Sequence, residues 1–194
     1  LFAALLHFVP GAVLVADITE RVGRLSARPE SPASLRLRRI NRIRTIHGTL
    51  AIEGNRLTEQ QITAILDGKR VLAPPREVQE VRNALSAYDR FRHWTPSAEA
   101  DLLEAHRILM TGLLDHPGSY RSSGAGVMAG ATVVHIAPPA GRVPRLMGNL
   151  LAWLAGSADH ALIASSLFHY ELEFIHPFAD GNGRMGRLWQ TLIL

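Results

Sequence analysis

The sequence contains no cysteine, and among its 21 basic residues only Lys69 is a lysine. The absence of cysteine excludes disulfide bonds and thiolate metal sites. The other basic residues are arginines, which we attribute to genome composition, and the net charge of +4 is modest for a nucleic-acid-binding protein. The arginine-rich run at residues 35–44 is interpreted as a solvated helix face rather than a phosphate-contacting one. No direct contact with nucleic acid is therefore expected.

The sequence also lacks an uninterrupted apolar run long enough to cross a membrane. Residues 1–16 are apolar, but His7, Pro10 and Gly11 interrupt them and no basic leader precedes them. A membrane-spanning helix needs about 20 consecutive apolar residues, and a signal peptide begins with a charged region. We therefore expect no membrane span and no signal peptide, and a cytoplasmic location.

What the sequence does have is helical periodicity along most of its length. Ser31-Pro32 begins a predicted helix that ends near Gly54-Asn55, and its apolar stripe consists of Leu37, Ile40, Ile43, Ile46 and Leu50. Capping signals and spacing predict further helices at residues 58–68, 77–91, from 95 through 109, 143–154, 162–175 and from 185 onward. The stretch at 123–139 is rich in glycine and β-branched residues and predicts a small β-hairpin. The predicted fold class is mainly α with one hairpin.

One stretch, HPFADGNGRMGR at residues 176–187, combines chemistry that a structural turn does not need. It lies between two predicted helices, and Pro177 prevents continuation of the first. Gly181 and Gly183, with Asn182 between them, allow a ligand to approach the backbone closely. The N-terminus of the second helix then points its free N–H groups at that ligand and favours an anion such as phosphate.

The side chains of this stretch indicate phosphate chemistry. Arg184 and Arg187 lie three apart on one helix face, so both can hold the same polyphosphate. Asp180 supplies the hard oxygen that Mg²⁺ prefers, and His176 is a base that is neutral near pH 7. Phe178 is interpreted as an internal anchor of the loop. The set predicts phosphoryl or nucleotidyl transfer without a P-loop, and leaves open which phosphorus is attacked.

Two other histidines, His106 and His169, fall at inward positions of predicted helices. We interpret them as hydrogen-bonded core residues rather than as ligands. No spacing of His, Asp and Glu residues indicates a zinc site.

At all eight fixed positions, residues 176–187 are similar to the HxFx(D/E)GNGRxxR signature of the Fic (filamentation induced by cAMP) family. The segment TLAIEG, residues 49–54, resembles the (S/T)xxxE(G/N) inhibitory motif of the same family. Less specific likenesses, GSYR at 118–121 among them, extend from about residue 25 to the end. The resemblance covers most of the chain and implies a Fic-type helical bundle whose hairpin forms a flap.

The resemblance implies an enzyme, a protein adenylyltransferase that transfers AMP from ATP to a Ser, Thr or Tyr hydroxyl of a target protein. His176 would deprotonate the hydroxyl, and Asp180 would hold Mg²⁺. Arg184 and Arg187 would bind the phosphate chain. An anion hole would be formed by the Asn182 side chain together with the backbone of Gly181, Asn182 and Gly183.

The second motif implies autoinhibition by an N-terminal helix. Glu53 would pair with Arg187 and displace the γ-phosphate, Thr49 would help to fix the helix, and Gly54 completes the motif. The protein is therefore expected to be mostly switched off. The hairpin at residues 127–136 would dock the target segment.

The expected organisation is a helical extension at 1–30, an inhibitory-helix region packed on the core at 31–68, and a catalytic core at 69–194. Because the final TLIL reads as part of a continuing helix, we expect the C-terminal part of that core to be missing. Two alternatives keep the site, namely transfer of another phosphate-containing group and removal of AMP through Glu53. A third is a non-catalytic nucleotide sensor joined to a DNA-binding module. The target and the oligomeric state, a homodimer included, stay open.

Overall fold

The computed structural model describes residues 14–24, 32–129 and 132–194. The chain divides into two compact units, residues 1–42 and 43–194. The expectation about the opening apolar segment falls mostly on residues 1–13, which lie outside the described residues, as does Ser31. Across the described ranges, no helix combines the length and the apolar composition that crossing a bilayer requires.

The first unit contains helix α1, residues 14–24, and the beginning of helix α2 (Pro32–Ile52). In α1, Arg21 donates to Asp17 at 3.1 Å, one turn away on the helix surface. Helix α2 begins at Pro32, as predicted, because proline fits the first turn without loss of a hydrogen bond. Leu37, however, is 55% exposed, so the predicted apolar stripe is not buried along its whole length.

The second unit is a helical bundle with one hairpin. After α2 come α3 (Glu59–Leu66), α4 (Pro75–Arg90), α5 (Glu99–Met110), strands β1 (Gly126–Ala129) and β2 (Thr132–Ile136), α6 (Val143–Gly156), α7 (Ala161–Ile175) and α8 (Asn182–Ile193). Helix α7 packs along α8, α4 along α5, and α6 along α7. The predicted fold class, mainly α with a small hairpin, is confirmed.

Helix α5 begins at Glu99, so the prediction that Thr95-Pro96 opens it is wrong. The Asp101 carboxylate accepts a hydrogen bond from the Thr95 backbone N–H at 2.7 Å. The Pro96 carbonyl accepts one from Trp189 Nε1 at 2.8 Å. These non-local partners hold residues 95–98 in a turn, and a local capping signal cannot reveal them.

The core lies between the C-terminal half of α2 and helices α3 to α8. Of the predicted stripe of α2, Ile43, Ile46 and Leu50 are buried. They join a cluster to which every later helix contributes, with Ile62, Val81, Leu102, Met147, Phe168, Leu172, Leu188 and Trp189 among its members. Because the end of α2 is anchored in this core, residues 49–53 are held at a fixed place beside α8.

The hairpin is an antiparallel pair in which Gly126 lies opposite Ile136. The register shifts between Val127 and Met128, as a β-bulge does when it adds one residue to one strand. Within the described residues, this sheet consists of two strands. Their outer edges are therefore not paired with a further strand of the sheet.

The capping box of α3 provides a test of local stability. Thr58 Oγ1 accepts from the Gln61 N–H at 3.3 Å, and Gln61 Oε1 accepts from the Thr58 N–H at 2.9 Å. We expect Thr58→Ala to lower the free energy of unfolding by about 1 kcal/mol, measured by urea denaturation. Thr58→Ser keeps the hydroxyl and serves as the control. A loss of the same size in both variants would contradict the role of the cap.

Candidate active site

The loop between α7 and α8 begins with a strained residue, His176. This residue is the C-cap of α7 and has φ 50° and ψ 61°, in the left-handed region that non-glycine residues rarely adopt. Its N–H donates to the Leu172 carbonyl at 2.8 Å, and Pro177 then ends the helix. Among the described residues, His176 Nδ1 is buried without a hydrogen-bond partner. The imidazole is thus held at a sharp bend of the backbone, and its Nδ1 accepts or donates no hydrogen bond within the described residues.

The loop is closed internally by Asn182. Its Oδ1 accepts from the Phe178 N–H, and its Nδ2 donates to the Phe178 carbonyl, both at 2.9 Å. The Phe178 ring is fully buried and stacks on the His106 ring, with centroids 3.8 Å apart and planes 7° apart. Phe178 therefore lies where an internal anchor is expected. The Asn182 amide is engaged with the loop itself, so the donors that remain in this segment are its backbone N–H groups.

His106 holds the other side of the loop. Its Nδ1 accepts from the Gly118 N–H at 2.9 Å, and its Nε2 lies 3.0 Å from the Asp180 carbonyl. Because a backbone N–H can only donate, Nδ1 carries the lone pair and Nε2–H donates to Asp180. The prediction of a hydrogen-bonded core histidine is confirmed. Its contact with Asp180 also makes it a support of the loop, which the sequence did not reveal.

The backbone N–H groups at the start of α8 form what we call the α8 cradle. Gly181, the N-cap, has φ 84°, and a Cβ there would lie 2.7 Å from Met110 Sδ, so only glycine fits. Within the described residues no side chain caps this helix end. The first turn, from Asn182 to Arg184, therefore presents backbone N–H groups at the positive end of the helix dipole.

A carboxylate from α2's end lies over this cradle. Glu53 Oε1 is 2.5 Å from Arg187 NH2, and a Cβ on Gly183 would lie only 2.8 Å from the same oxygen. Arg187 also donates to Thr49, from Nε to Oγ1 at 2.7 Å and from NH2 to the carbonyl at 3.2 Å. Gly54 has φ 90° and ends the helical turn that presents Glu53. The two sequence motifs therefore meet at one guanidinium.

Arg184 lies deeper than Arg187 and is almost fully buried. Its NH2 is 3.3 Å from Asp180 Oδ1, and its NH1 is 3.7 Å from Glu80 Oε1. Among the described residues, its Nε and NH1 have no hydrogen-bond partner. A buried guanidinium with unused donors can bind an anionic ligand at low additional desolvation cost.

Two residues of α4, Arg76 and Glu80, belong to this site although the sequence gave no signal for them. Glu80 Oε1 is 3.6 Å from Arg76 Nε, and Glu80 Oε2 accepts from Asn55 Nδ2 at 2.9 Å. Arg76 NH2 lies 3.9 Å from Asp180 Oδ2. Glu80 thus connects Asn55, in the turn after Glu53, with Arg76, which lies near Asp180.

His169 lies between α7 and α8, near the outer end of the site. Its Nδ1 is 2.6 Å from Gln190 Oε1, and its Nε2 is 3.6 Å from Glu173 Oε1. The Glu173 carboxylate raises the pKa of His169, and partial burial opposes that effect. The imidazole has a hydrogen-bond partner in Gln190, as expected, but it is half-buried rather than a member of the core.

The fold and the site together define a helical domain in which a glycine loop and a helix N-terminus lie beside two arginines and a histidine. The Fic/DOC family model matches residues 96–194, and the chain belongs to that family.

Solved structures are similar to this chain in fold, and a curated relative is similar in sequence. A Fic family protein of Desulfovibrio desulfuricans G20 is 59% identical, with a TM-score of 0.86 over 94% of this chain and 56% of that one. Fic-1 of C. elegans is 25% identical, with a TM-score of 0.82 over 95% of this chain and 58% of that one. The protein adenylyltransferase Fic of Drosophila ananassae is 32% identical over 183 residues, 88% of this chain and 35% of that protein. The chain thus spans about a third of that relative.

The buried His106 makes stability depend on pH. Burial is the main cause that lowers the pKa of His106 to about 4, from an ordinary value of 6.5. The unfolded chain therefore binds a proton between pH 6.5 and 4 that the folded chain does not, and stability falls as the pH falls through this window. We expect a loss of about 2 kcal/mol between pH 7 and pH 5 from this group, measured by urea unfolding.

His169 has the opposite effect on the pH dependence of stability, because a raised folded-state pKa adds stability at low pH. The contribution of His106 is therefore obtained by comparison with His106→Gln, which retains His169. The variant should lose less stability than the parent over the same pH interval. Equal losses in the two proteins would show that His106 is not the group responsible.

Proposed function

We propose that this domain is a protein adenylyltransferase, which transfers AMP from ATP to a hydroxyl of a target protein. The single observation that carries the proposal is the meeting of His176, the α8 cradle and the two arginines at one loop and the helix that follows it. The name of the Drosophila ananassae relative supports the same activity. In this reaction the target oxygen forms a bond to the α-phosphorus, the bond between that phosphorus and the bridging oxygen breaks, and pyrophosphate leaves.

His176 is the proposed general base. The imidazole takes the hydroxyl proton as the oxygen attacks, which requires a neutral ring with a free lone pair. The unpartnered Nδ1 is consistent with a ring that no internal hydrogen bond consumes. The left-handed backbone conformation of His176 fixes the direction in which the imidazole leaves the backbone. The proposed base is therefore positioned before the substrate arrives.

The phosphate chain is proposed to bind at the start of α8. Its negative charge meets the backbone N–H groups of the first turn and the unused donors of Arg184. Arg187 would bind the terminal phosphate. Fixed donors of this kind stabilise the charge that develops on the phosphate oxygens in the transition state.

The donor chemistry of Asp180 fits Mg²⁺. Its Oδ1 accepts from the Gly181 N–H at 2.6 Å and from Arg184 NH2 at 3.3 Å, and its Oδ2 lies 3.9 Å from Arg76 NH2. The described residues hold no cluster of three or more His, Cys, Asp or Glu side chains, so the nucleotide and water would supply the other ligands. Mg²⁺ is commonly bound in this way, through one carboxylate and substrate phosphates. When bound, it supplies positive charge beside the phosphate oxygens.

We further propose that Glu53 keeps the site inactive. Its carboxylate lies against Gly183 and Arg187, where the terminal phosphate would bind. Two anions competing for one guanidinium at about 4 Å interact by up to about 4 kcal/mol at an effective dielectric of 20. Because Glu53 and Arg187 are each about one-quarter exposed, solvent screening reduces that value. A moderate but clear inhibition is therefore expected.

Labelled ATP tests the activity and the inhibition together. We expect Glu53→Gly to transfer label from α-labelled ATP to protein at least about tenfold faster than the parent, since removal of the carboxylate frees Arg187. Adding His176→Ala should abolish the label. Ile52→Gly makes the same backbone change at the neighbouring exposed position and keeps the carboxylate, so it should not activate.

The same experiment separates the alternatives. Label that arrives only from the γ-phosphate would replace AMP transfer by phosphate transfer. ATP binding without label in any protein would indicate a nucleotide sensor. Loss of label from a pre-labelled acceptor in the parent, but not in Glu53→Gly, would indicate removal of AMP.

The hairpin is the proposed docking place of the target. The outer edges of its two strands are available to an extended segment, which could add as a third strand. Such an addition would hold the acceptor hydroxyl in register with the loop.

A photo-reactive amino acid tests this docking. Ile136 ends β2 and is 79% exposed, whereas Leu72 is fully exposed in the loop before α4. In the Glu53→Gly background, we expect acceptors labelled by AMP to crosslink through position 136 and not through position 72. Equal crosslinking at both positions would count against docking on the hairpin.

A further inference from the structure

A single buried arginine, Arg121, connects the loop to the hairpin. On the loop side, its Nε donates to the His176 carbonyl at 2.7 Å and its NH2 to the Ile175 carbonyl at 3.2 Å. Its backbone N–H donates to the Pro177 carbonyl at 2.9 Å. One residue therefore binds three consecutive carbonyls at the end of α7, around the proposed base.

On the hairpin side, the same guanidinium binds both ends of the hairpin. Its NH1 donates to the Ser123 carbonyl at 2.7 Å, and its NH2 to the Pro138 carbonyl at 2.6 Å. Ser123 precedes β1 and Pro138 follows β2. The neck between them is closed by the hydrogen bond from the Ala137 N–H to the Ala125 carbonyl, at 3.1 Å.

The chemistry of Arg121 differs from that of an ordinary buried ion pair. It is 6% exposed, and within the described part of the chain its hydrogen-bond partners are all carbonyl oxygens. Burying a charge is costly unless hydrogen bonds satisfy it, and the guanidinium's planar fork satisfies several acceptors at once. The negative end of the α7 dipole further favours a cation here. Lysine, with one donor centre, cannot reproduce this set.

The loop needs such a support because His176 is strained. A non-glycine residue in the left-handed region is disfavoured, and the following Pro177 restricts it further. A strained residue persists only when its surroundings fix it. The hydrogen bonds to Ile175, His176 and Pro177 fix the backbone on both sides of the strained residue.

We propose that Arg121 is a positioning residue that fixes the orientation of the His176 imidazole and links it to the hairpin that docks the target. This inference rests on the proposed function and assigns the role to a residue outside the 176–187 loop. Because the nucleotide is held by α8 and its arginines, loss of Arg121 should affect turnover and leave ATP binding almost unchanged.

The kinetic test uses Arg121→Met in the Glu53→Gly background. We expect the rate of AMP transfer to fall by about 30- to 100-fold, as misplacement of a catalytic group by about 1 Å commonly does, with the Kd for ATP changed by less than about twofold. Arg121→Lys should recover only part of the rate, because it restores the charge without the fork. Ile62→Ala, a core truncation in α3, is the control for lost stability. In the same background it should keep the transfer rate of Glu53→Gly at temperatures below its own unfolding temperature.

Amide hydrogen exchange provides a readout that needs no activity. Arg121→Met should raise the exchange rates of the His176 and Ala137 amides together, while the amide of Ile62 in α3 should stay protected. The inference would be overturned if Arg121→Met, in the Glu53→Gly background, transferred AMP as fast as Glu53→Gly alone. A rate loss matched by Ile62→Ala, or exchange that rises uniformly along the chain, would overturn it as well. If Glu53→Gly itself transfers no AMP, the proposed function fails, and exchange alone decides whether Arg121 couples the two segments.

Discussion

The site depends on hydrogen bonds within the loop between α7 and α8. The Asn182 amide binds both backbone groups of Phe178 at 2.9 Å, and this pair of hydrogen bonds fixes the distance between the end of α7 and the start of α8. The Phe178 ring then stacks on His106, which holds the Asp180 carbonyl. His176, Asp180 and the start of α8 are consequently placed by contacts within the chain itself.

Positive and negative side chains lie close together in this site. Arg184 and Arg187 bring positive charge to the cradle, and Asp180, Glu80 and Glu53 approach it from three directions. Asp180 and Glu80 lie at distances that leave Arg184 with unused donors, whereas Glu53 closes on Arg187. The difference follows from burial in the core of Ile46 and Leu50, which sets how far the end of α2 reaches.

Much of this arrangement could be predicted from the sequence, because the loop's chemistry is contiguous and the helices are strongly periodic. Glu53 and Thr49 could be predicted only through the family resemblance, since their partner is distant in the chain. Arg121 and Glu80 were missed as site residues for the same reason: their roles arise from non-local contacts with carbonyls and with Arg184. The start of α5 was misplaced because Trp189, far along the chain, holds Pro96.

The absence of a side chain at Gly183 limits the substitutions that this position can accept. A Cβ on Gly183 would lie 2.8 Å from Glu53 Oε1, and the proposed place of the terminal phosphate is this same space. In the proposed inhibition, a bulkier residue at this position would displace the Glu53 carboxylate and the terminal phosphate together. A variant that escapes the proposed inhibition and keeps the proposed activity would therefore carry its change in residues 49–54.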